Sequence, residues 1–258
     1  TLGSKSVAIG EQALNTQNFD TATDTNNTAV GYNAGKSITT GKKNTLLGSR
    51  SGDALTDADN NVAIGESALS GDTLGSASVA IGKQALTTQN FTTATDSLNT
   101  AVGNVAGSLM TVGTANTLIG GEAGDALTDA DDNVAIGTAA LSSAILGSKT
   151  VAIGKNALFA QNFTTATDSF NIAVGYHAGI AVTIGQFNNL IGGLTGDALT
   201  EGTRNVAVGN SALSTDTKGS KSVAIGPNAL FTQNFSTATD NFNIAIGADA
   251  GLSITTGV

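Results

Sequence analysis

SVAIGEQAL (6–14), SVAIGKQAL (78–86), TVAIGKNAL (150–158) and SVAIGPNAL (222–230) are versions of one nine-residue stretch, and each begins 72 residues after the one before. Such a strict period indicates an array of repeats rather than an ordinary globular domain. It predicts one continuous repeat domain over 1–258, with super-repeats at approximately 7–78, 79–150 and 151–222 and a partial fourth at 223–258. Because the chain begins with Thr rather than Met and ends within a repeat, we expect it to be a fragment of a longer protein.

Each super-repeat is itself made of four shorter units. Aligning the chain on the glycine that closes every VAIG-like block gives spacings of 21, 17, 17 and 17 residues, in an order that recurs along the sequence. We call these the coil glycines and count positions from them, so that position −2 lies two residues before. There are fourteen: Gly10, Gly31, Gly48, Gly65, Gly82, Gly103, Gly120, Gly137, Gly154, Gly175, Gly192, Gly209, Gly226 and Gly247.

The positions around each coil glycine form strict columns. Position −1 is always Ile, Val or Leu, position −2 is Ala in eleven units, and position −4 is Asn in ten. Short β-branched runs bounded by turn formers predict strands, and a 17-residue unit rich in Gly, Asn and Thr leaves no room for a helix. The sequence therefore predicts an all-β fold, a parallel β-solenoid of about fourteen coils spaced roughly 4.8 Å apart. In such a stack the asparagines can hydrogen-bond along their ladder.

Every predicted strand is apolar on both faces. In Val7-Ala8-Ile9 the two β-branched side chains share one face and Ala8 takes the other. We expect the branched pair to fill the coil interior, and the small alanine column to face a second chain, because a strand that is apolar on both faces is buried on both. The predicted inter-chain seam comprises Ala8, Ala29, Leu46, Ala63, Ala80, Ala101, Leu118 and Ala135.

Composition excludes several classes of function. The chain has 11 basic and 20 acidic side chains, which gives a formal net charge of −9. It therefore lacks the basic character that nucleic acids or anionic membranes require, and it has no apolar run long enough for membrane insertion. With no Cys and a single His, His177, the sequence offers neither a thiolate site nor a Ser–His or Cys–His couple. We expect no enzyme activity and no cofactor.

One acidic stretch carries candidate calcium ligands. GDALTDADNN (52–61) recurs as GDALTDADDN (124–133) and becomes GDALTEGTRN in the third copy. Its carboxylates could supply oxygens to Ca²⁺, although the spacing lacks the pattern of an EF-hand loop. Solvated turns between strands are the alternative. The candidates are Asp57, Asp59, Asp129 and Asp131, with Asp132 beside the last.

The long unit always carries the same insertion, TQNFDTATD at 16–24 in its first copy. Four extra residues in a solenoid coil must bulge outward or extend a turn. An exposed Phe among Gln, Asn and Asp would suit contact with a host-surface glycan or protein, whereas a Phe folded back would cover the neighbouring coil. The candidate contact residues are Gln17, Asn18, Phe19, Asp24, Gln89, Asn90, Phe91, Asp96, Gln161, Asn162, Phe163, Asp168, Gln233, Asn234, Phe235 and Asp240.

Two families resemble this pattern. Tandem SVAIG blocks followed by an alanine resemble the head repeats of trimeric autotransporter (YadA-like) adhesins, while NTAVGYNAGKSITTGKKNTLLG (27–48) and NNVAIGESALS (60–70) are similar to repeats of bacteriophage tail fibres. The resemblance implies a left-handed parallel β-roll of three chains. The coils are longer than the usual adhesin repeat, and the sequence contains no stalk or membrane anchor, which favours a phage-type fibre.

The expected function is therefore mechanical. The resemblance implies a rigid trimeric rod in a virion tail fibre that takes part in host attachment. The head of a trimeric bacterial surface adhesin and a self-assembling extracellular filament subunit are the alternatives.

Overall fold

The computed structural model describes residues 3–257, and the chain forms two compact units that divide between Asp131 and Asp132. The described residues contain 22 short strands joined by turns, with no helix among them. Each unit is a parallel β-solenoid of seven coils, which confirms the predicted all-β solenoid of about fourteen coils.

The first unit contains eleven strands. Seven three-residue strands, one per coil, form a parallel ladder in the order β2-β4-β5-β6-β8-β10-β11, and the pairs β1–β3 and β7–β9 lie outside it. The strands are β1 (Gly3–Ser4), β2 (Val7–Ile9), β3 (Thr23–Asp24), β4 (Thr28–Val30), β5 (Thr45–Leu47), β6 (Val62–Ile64), β7 (Gly75–Ser76), β8 (Val79–Ile81), β9 (Thr95–Asp96), β10 (Thr100–Val102) and β11 (Thr117–Ile119).

The second unit repeats this arrangement. Its seven-stranded ladder has the order β12-β14-β16-β17-β18-β20-β22, and β13–β15 and β19–β21 are its two-residue pairs. The strands are β12 (Val134–Ile136), β13 (Gly147–Ser148), β14 (Val151–Ile153), β15 (Thr167–Asp168), β16 (Ile172–Val174), β17 (Asn189–Ile191), β18 (Val206–Val208), β19 (Gly219–Ser220), β20 (Val223–Ile225), β21 (Thr239–Asp240) and β22 (Ile244–Ile246).

The alanine column lies in register along each ladder, but it points into the coil. Ala80 pairs with Ala101, which pairs in turn with Leu118, and all three side chains are fully buried in the single chain. The prediction that this column faces a second chain is wrong, because the narrow coil interior takes the small side chains and leaves the β-branched pair outside. The same holds for Ala29, Leu46, Ala63 and Ala135; Ala8, in the first described coil, is exposed.

A size exchange keeps the narrow core filled. In the third coil of a super-repeat, Leu118 replaces the usual alanine, and glycines stand where the first and fourth coils have a leucine. A Cβ atom placed on Gly107 or on Gly124 would lie 2.8 Å from a terminal methyl of Leu118. The leucine therefore occupies the space that the two glycines leave, and core volume is conserved from coil to coil.

The asparagine column is a buried hydrogen-bonded ladder, as predicted. The Asn44 side chain donates from Nδ2 to the carbonyl of Ala58 at 2.7 Å, and its Oδ1 accepts from the backbone N–H of Asn61 at 2.9 Å. The same bonds recur along the column, for example from Asn116 to Ala130. Each asparagine thus satisfies backbone groups of the neighbouring coil that the strands leave unpaired.

The coil glycines allow neighbouring coils to approach closely. Gly48 has a φ of +134°, and a Cβ atom there would lie 2.6 Å from the carbonyl oxygen of Gly65 in the next coil. A side chain would therefore meet both an unfavourable backbone conformation and fixed backbone atoms.

Candidate functional site

The phenylalanine of the insertion is a core residue. Phe91 is only 6% exposed, and its ring lies against Gly75 of the preceding coil, where an added Cβ would come within 2.8 Å of it. Phe163 lies against Gly147 in the same way. The alternative in which the phenylalanine folds back over the neighbouring coil is therefore confirmed. The prediction of exposed contact residues is wrong for Phe19, Phe91, Phe163 and Phe235.

The insertion glutamines are structural as well. Gln89 is fully buried; its Nε2 donates to Asp72 Oδ2 at 2.6 Å and to Ser78 Oγ at 2.9 Å, and its Oε1 accepts from Asn99 Nδ2 at 2.9 Å. Ser78 stands in the asparagine column, so the glutamine supplies the amide that the shorter serine lacks. Gln233 is buried in the same network, with Asp216 in place of Asp72. Gln161 is also buried and bonds to Thr150 and Asn171, with Ala144 at the aspartate position, and Gln17 is partly buried, so none of the four is a free surface ligand.

The asparagines and aspartates of the insertion remain at the surface. Asn90 is exposed and accepts from the Thr73 hydroxyl at 2.9 Å. Asp24 forms an ion pair with Lys5 at 2.6 Å, and the hydrogen bonds from Lys5 and then from Ser4 lower the pKa of this carboxyl. The exposed candidates are Asn18, Asn90, Asn162, Asn234, Asp24, Asp96, Asp168 and Asp240.

Three of the four candidate calcium ligands accept hydrogen bonds from a neighbouring coil. Asp57 accepts from the Thr40 hydroxyl and Asp59 from the Lys42 backbone N–H, both at 2.7 Å. Asp131 accepts from both the N–H and the hydroxyl of Thr114, while Asp129 is exposed. Within residues 3–257, no group of three or more His, Cys, Asp or Glu side chains is arranged to hold a metal ion. The alternative, turns between strands, describes these residues better, although three of the carboxylates are hydrogen-bonded to a neighbouring coil rather than solvated alone.

The largest unassigned surface is the outward face of each sheet, formed by positions −3 and −1. We call these two positions the outer columns. Leu47 is 48% exposed and Ile191 43%, and the strand residue between each outer pair is buried. Position −1 is aliphatic in every coil, whereas position −3 mixes Val and Ile with Thr and one Asn. The signal that could have identified this surface is size, because the inward column is kept small while the outward one is not.

No family model, curated protein or solved structure matches the chain. The described residues also contain no helix long and apolar enough to cross a membrane. The geometry itself offers a hydrogen-bonded scaffold whose outward face has one aliphatic column and one column of mixed aliphatic and polar residues. Such a face is suited to packing against another surface.

Proposed function

We propose that this chain is a structural segment of a fibre, in which several copies pack side by side through the outer columns of their sheets. The observation that carries the proposal is the aliphatic residue at position −1 in every coil, on a face that the single chain leaves open. Seven strands roughly 4.8 Å apart and three residues wide give a flat face of roughly 340 Å² in each unit. An apolar patch of this order is often functional in soluble proteins.

The finer features of the proposal rest on the sequence period and on the family resemblance. We infer left-handed coils of 17 and 21 residues and an assembly of three chains. A parallel assembly places identical coils at the same height, so the outer columns of all copies meet along their whole length. The internal ladders support a mechanical role, since within each unit neighbouring coils are bonded through backbone groups and through side chains such as those of Asn44 and Thr56.

The biological setting of the proposal is a phage tail fibre that holds a host-binding tip away from the virion. An adhesin head and an extracellular filament subunit use the same scaffold and stay as alternatives. In each of the three settings, weak contacts with another surface that repeat along several chains would raise the overall affinity steeply through multivalency. Long filaments on micrographs of the isolated chain would favour the filament subunit over the other two.

The decisive experiment is the mass of the full chain in solution, measured by light scattering after size exclusion. We expect the mass of three chains, and a Leu47→Lys variant that shifts toward one chain because a lysine cannot be buried unpaired in an apolar interface. Leu47 is exposed in the single chain, so the variant should fold normally. An Asn18→Lys variant at an exposed turn is the matched control and should keep the wild-type mass.

A wild-type mass of one chain would refute the proposal, and a stable dimer or tetramer would refute only the number three. Ala80→Asp cannot serve as the test, because Ala80 lies in the coil core and a buried carboxylate there would unfold the chain whether or not it assembles.

A further inference from the structure

The second unit carries a stack of aromatic and cationic side chains at position −5, which we call the corner column. The rings of Phe170 and Phe187 are stacked at 5.5 Å between centroids with 15° between their planes. Lys149 Nζ lies 5.5 Å from the centroid of Phe170, and the Arg204 guanidinium lies 5.1 Å from that of Phe187. The column continues with Lys221, whose Nζ lies 5.0 Å from the ring of Phe242.

These rings are far more exposed than the phenylalanines of the insertion. Phe170 is 47% and Phe187 39% exposed, whereas the insertion phenylalanines are buried. The corner column of the first unit has no aromatic residue and consists of Lys5, Asn26, Lys43, Asn60, Ala77, Leu98 and Ala115. The fold therefore does not need a ring at this position.

The backbone also disfavours a ring there. Phe170 and Phe187 have φ values of +50° and +59°, in the left-handed region that bulky side chains rarely adopt. Asn26 and Asn60 hold the same conformation in the first unit, at +53° and +61°, and asparagine tolerates it best. Every residue of the corner column in both units has a φ between +50° and +63°, so the conformation belongs to the fold. An exposed ring in this conformation therefore adds little to the stability of the single chain.

The corner column widens the outward sheet face. Exposure alternates from Phe187 to Ile191, with Phe187, Asn189 and Ile191 facing outward and the two residues between them buried. Positions −5, −3 and −1 thus share one face in the second unit. Two further residues of width raise its area from roughly 340 to roughly 560 Å², against the roughly 800 Å² per partner of a typical specific interface.

We propose that the corner column of the second unit is the anchor of the contact between neighbouring copies of this chain. The proposal rests on the side-by-side packing proposed above and assigns its strongest contacts to Phe170, Phe187 and Arg204. Aromatic residues and arginine are the residues most enriched at the energetic centres of protein interfaces.

The charges on the column favour a second copy over an anionic polymer. Lys149 and Lys221 are paired with Asp168 and Asp240, so most of their charge is already balanced within the chain. The cations also lie over the ring faces, so that the edges of the rings form the apolar surface beside the aliphatic outer columns. This surface is close to neutral and matches the apolar face of an identical neighbour.

The test is the concentration at which the oligomer dissociates, compared between the wild-type chain and a Phe170→Asn/Phe187→Asn variant. Burying the exposed parts of two rings strengthens association by on the order of 100- to 1,000-fold, so we expect a loss of that size. Asn already occupies this column with the same φ in the first unit, so the variant should keep the wild-type circular dichroism spectrum.

The matched control is Phe159→Asn, which removes a ring of similar exposure (37%) from position +5, outside the outward face. It should change the dissociation concentration by less than about threefold, the scale of a surface substitution. A wild-type monomer would refute the fibre proposal itself. A wild-type oligomer that the double variant leaves intact, or that Phe159→Asn weakens equally, would overturn the anchor.

A fluorescence measurement reports the same contact directly, because the chain contains no tryptophan. The emission of a Phe187→Trp variant should shift to longer wavelength as the oligomer is diluted to single chains, since the ring leaves an apolar contact for water. The emission of Phe159→Trp should not change on dilution. An unshifted Phe187→Trp signal across the dissociation would overturn the proposal.

Discussion

Replacing Leu118 with alanine tests the size exchange that fills the coil core. Leu118 is fully buried, and its methyl groups occupy the space beside Gly107 and Gly124. Large-to-small substitutions of buried leucine cost about 3–5 kcal/mol. We expect the upper part of that range, because the two glycines have no side chain that could move into the cavity.

The second half of this test is Gly124→Ala. Alone it should cost about 1–3 kcal/mol, because the new Cβ would lie 2.8 Å from Leu118 Cδ2 and from Leu127 Cδ1. Once Leu118 is alanine, part of that collision is gone and the added methyl fills some of the cavity. The double variant should therefore be more stable than the sum of the single effects by about 1–2 kcal/mol.

The assay is denaturant-induced unfolding of the full chain, followed by far-ultraviolet circular dichroism at one fixed protein concentration, because association would add to the apparent stability. A control cycle pairs Leu118→Ala with Gly193→Ala, in which the added Cβ lies 3.3 Å from Asn210 Nδ2 in the other unit. It should show no coupling. Additivity within about 0.5 kcal/mol for Leu118 and Gly124 would refute the size exchange.

Three further predictions follow from the ladders and from one carboxylate. Asn44→Ala leaves a buried carbonyl and a buried N–H without partners, and should lower the free energy of unfolding by about 2–4 kcal/mol in the same assay. Gly48→Ala should cost about 3 kcal/mol or more, whereas Gly121→Ala should cost less than about 1 kcal/mol, because its Cβ would lie no closer than 4.0 Å to the nearest neighbour, the Asn104 carbonyl oxygen. Burial raises the pKa of Asp53 above its ordinary value of 3.8, so the charged carboxylate opposes folding. The free energy of unfolding of Asp53→Asn should therefore increase relative to the wild type as the pH rises through the pKa of Asp53. A difference that is independent of pH would contradict this prediction.

The ladders of this fold could be predicted from the sequence because their cause is periodic. A column that repeats in every unit must stack on itself, so the strands, the coil count and the asparagine ladder around Asn44 all followed from spacing. The alternation in Val7-Ala8-Ile9 predicts two faces of the strand but does not indicate which of them faces the coil interior. The structure answers through volume, since the narrow interior takes alanine, and takes leucine only where neighbouring glycines leave space.

The insertion was harder to predict because its partners lie in other coils. Phe91 is buried by Gly75 of the preceding coil, and Gln89 by Asp72 and Ser78, which no local pattern connects. The corner column was not predicted from the sequence for a different reason. Phe170 and Phe187 are separated by a coil in sequence, and only the register of the ladder brings their rings together.

The size exchange between leucine and glycine restricts how such a protein can change its length. Removing the second coil of a super-repeat would place a leucine against a leucine, and removing the third would place a glycine against an alanine, which leaves a collision or a hole at the junction. Removing or duplicating four consecutive coils restores every match, because the exchange recurs once in each block of four. Gene duplication and loss can therefore lengthen or shorten the chain in steps of 72 residues with no new packing to evolve, whereas loss of the second or third coil alone disrupts the core.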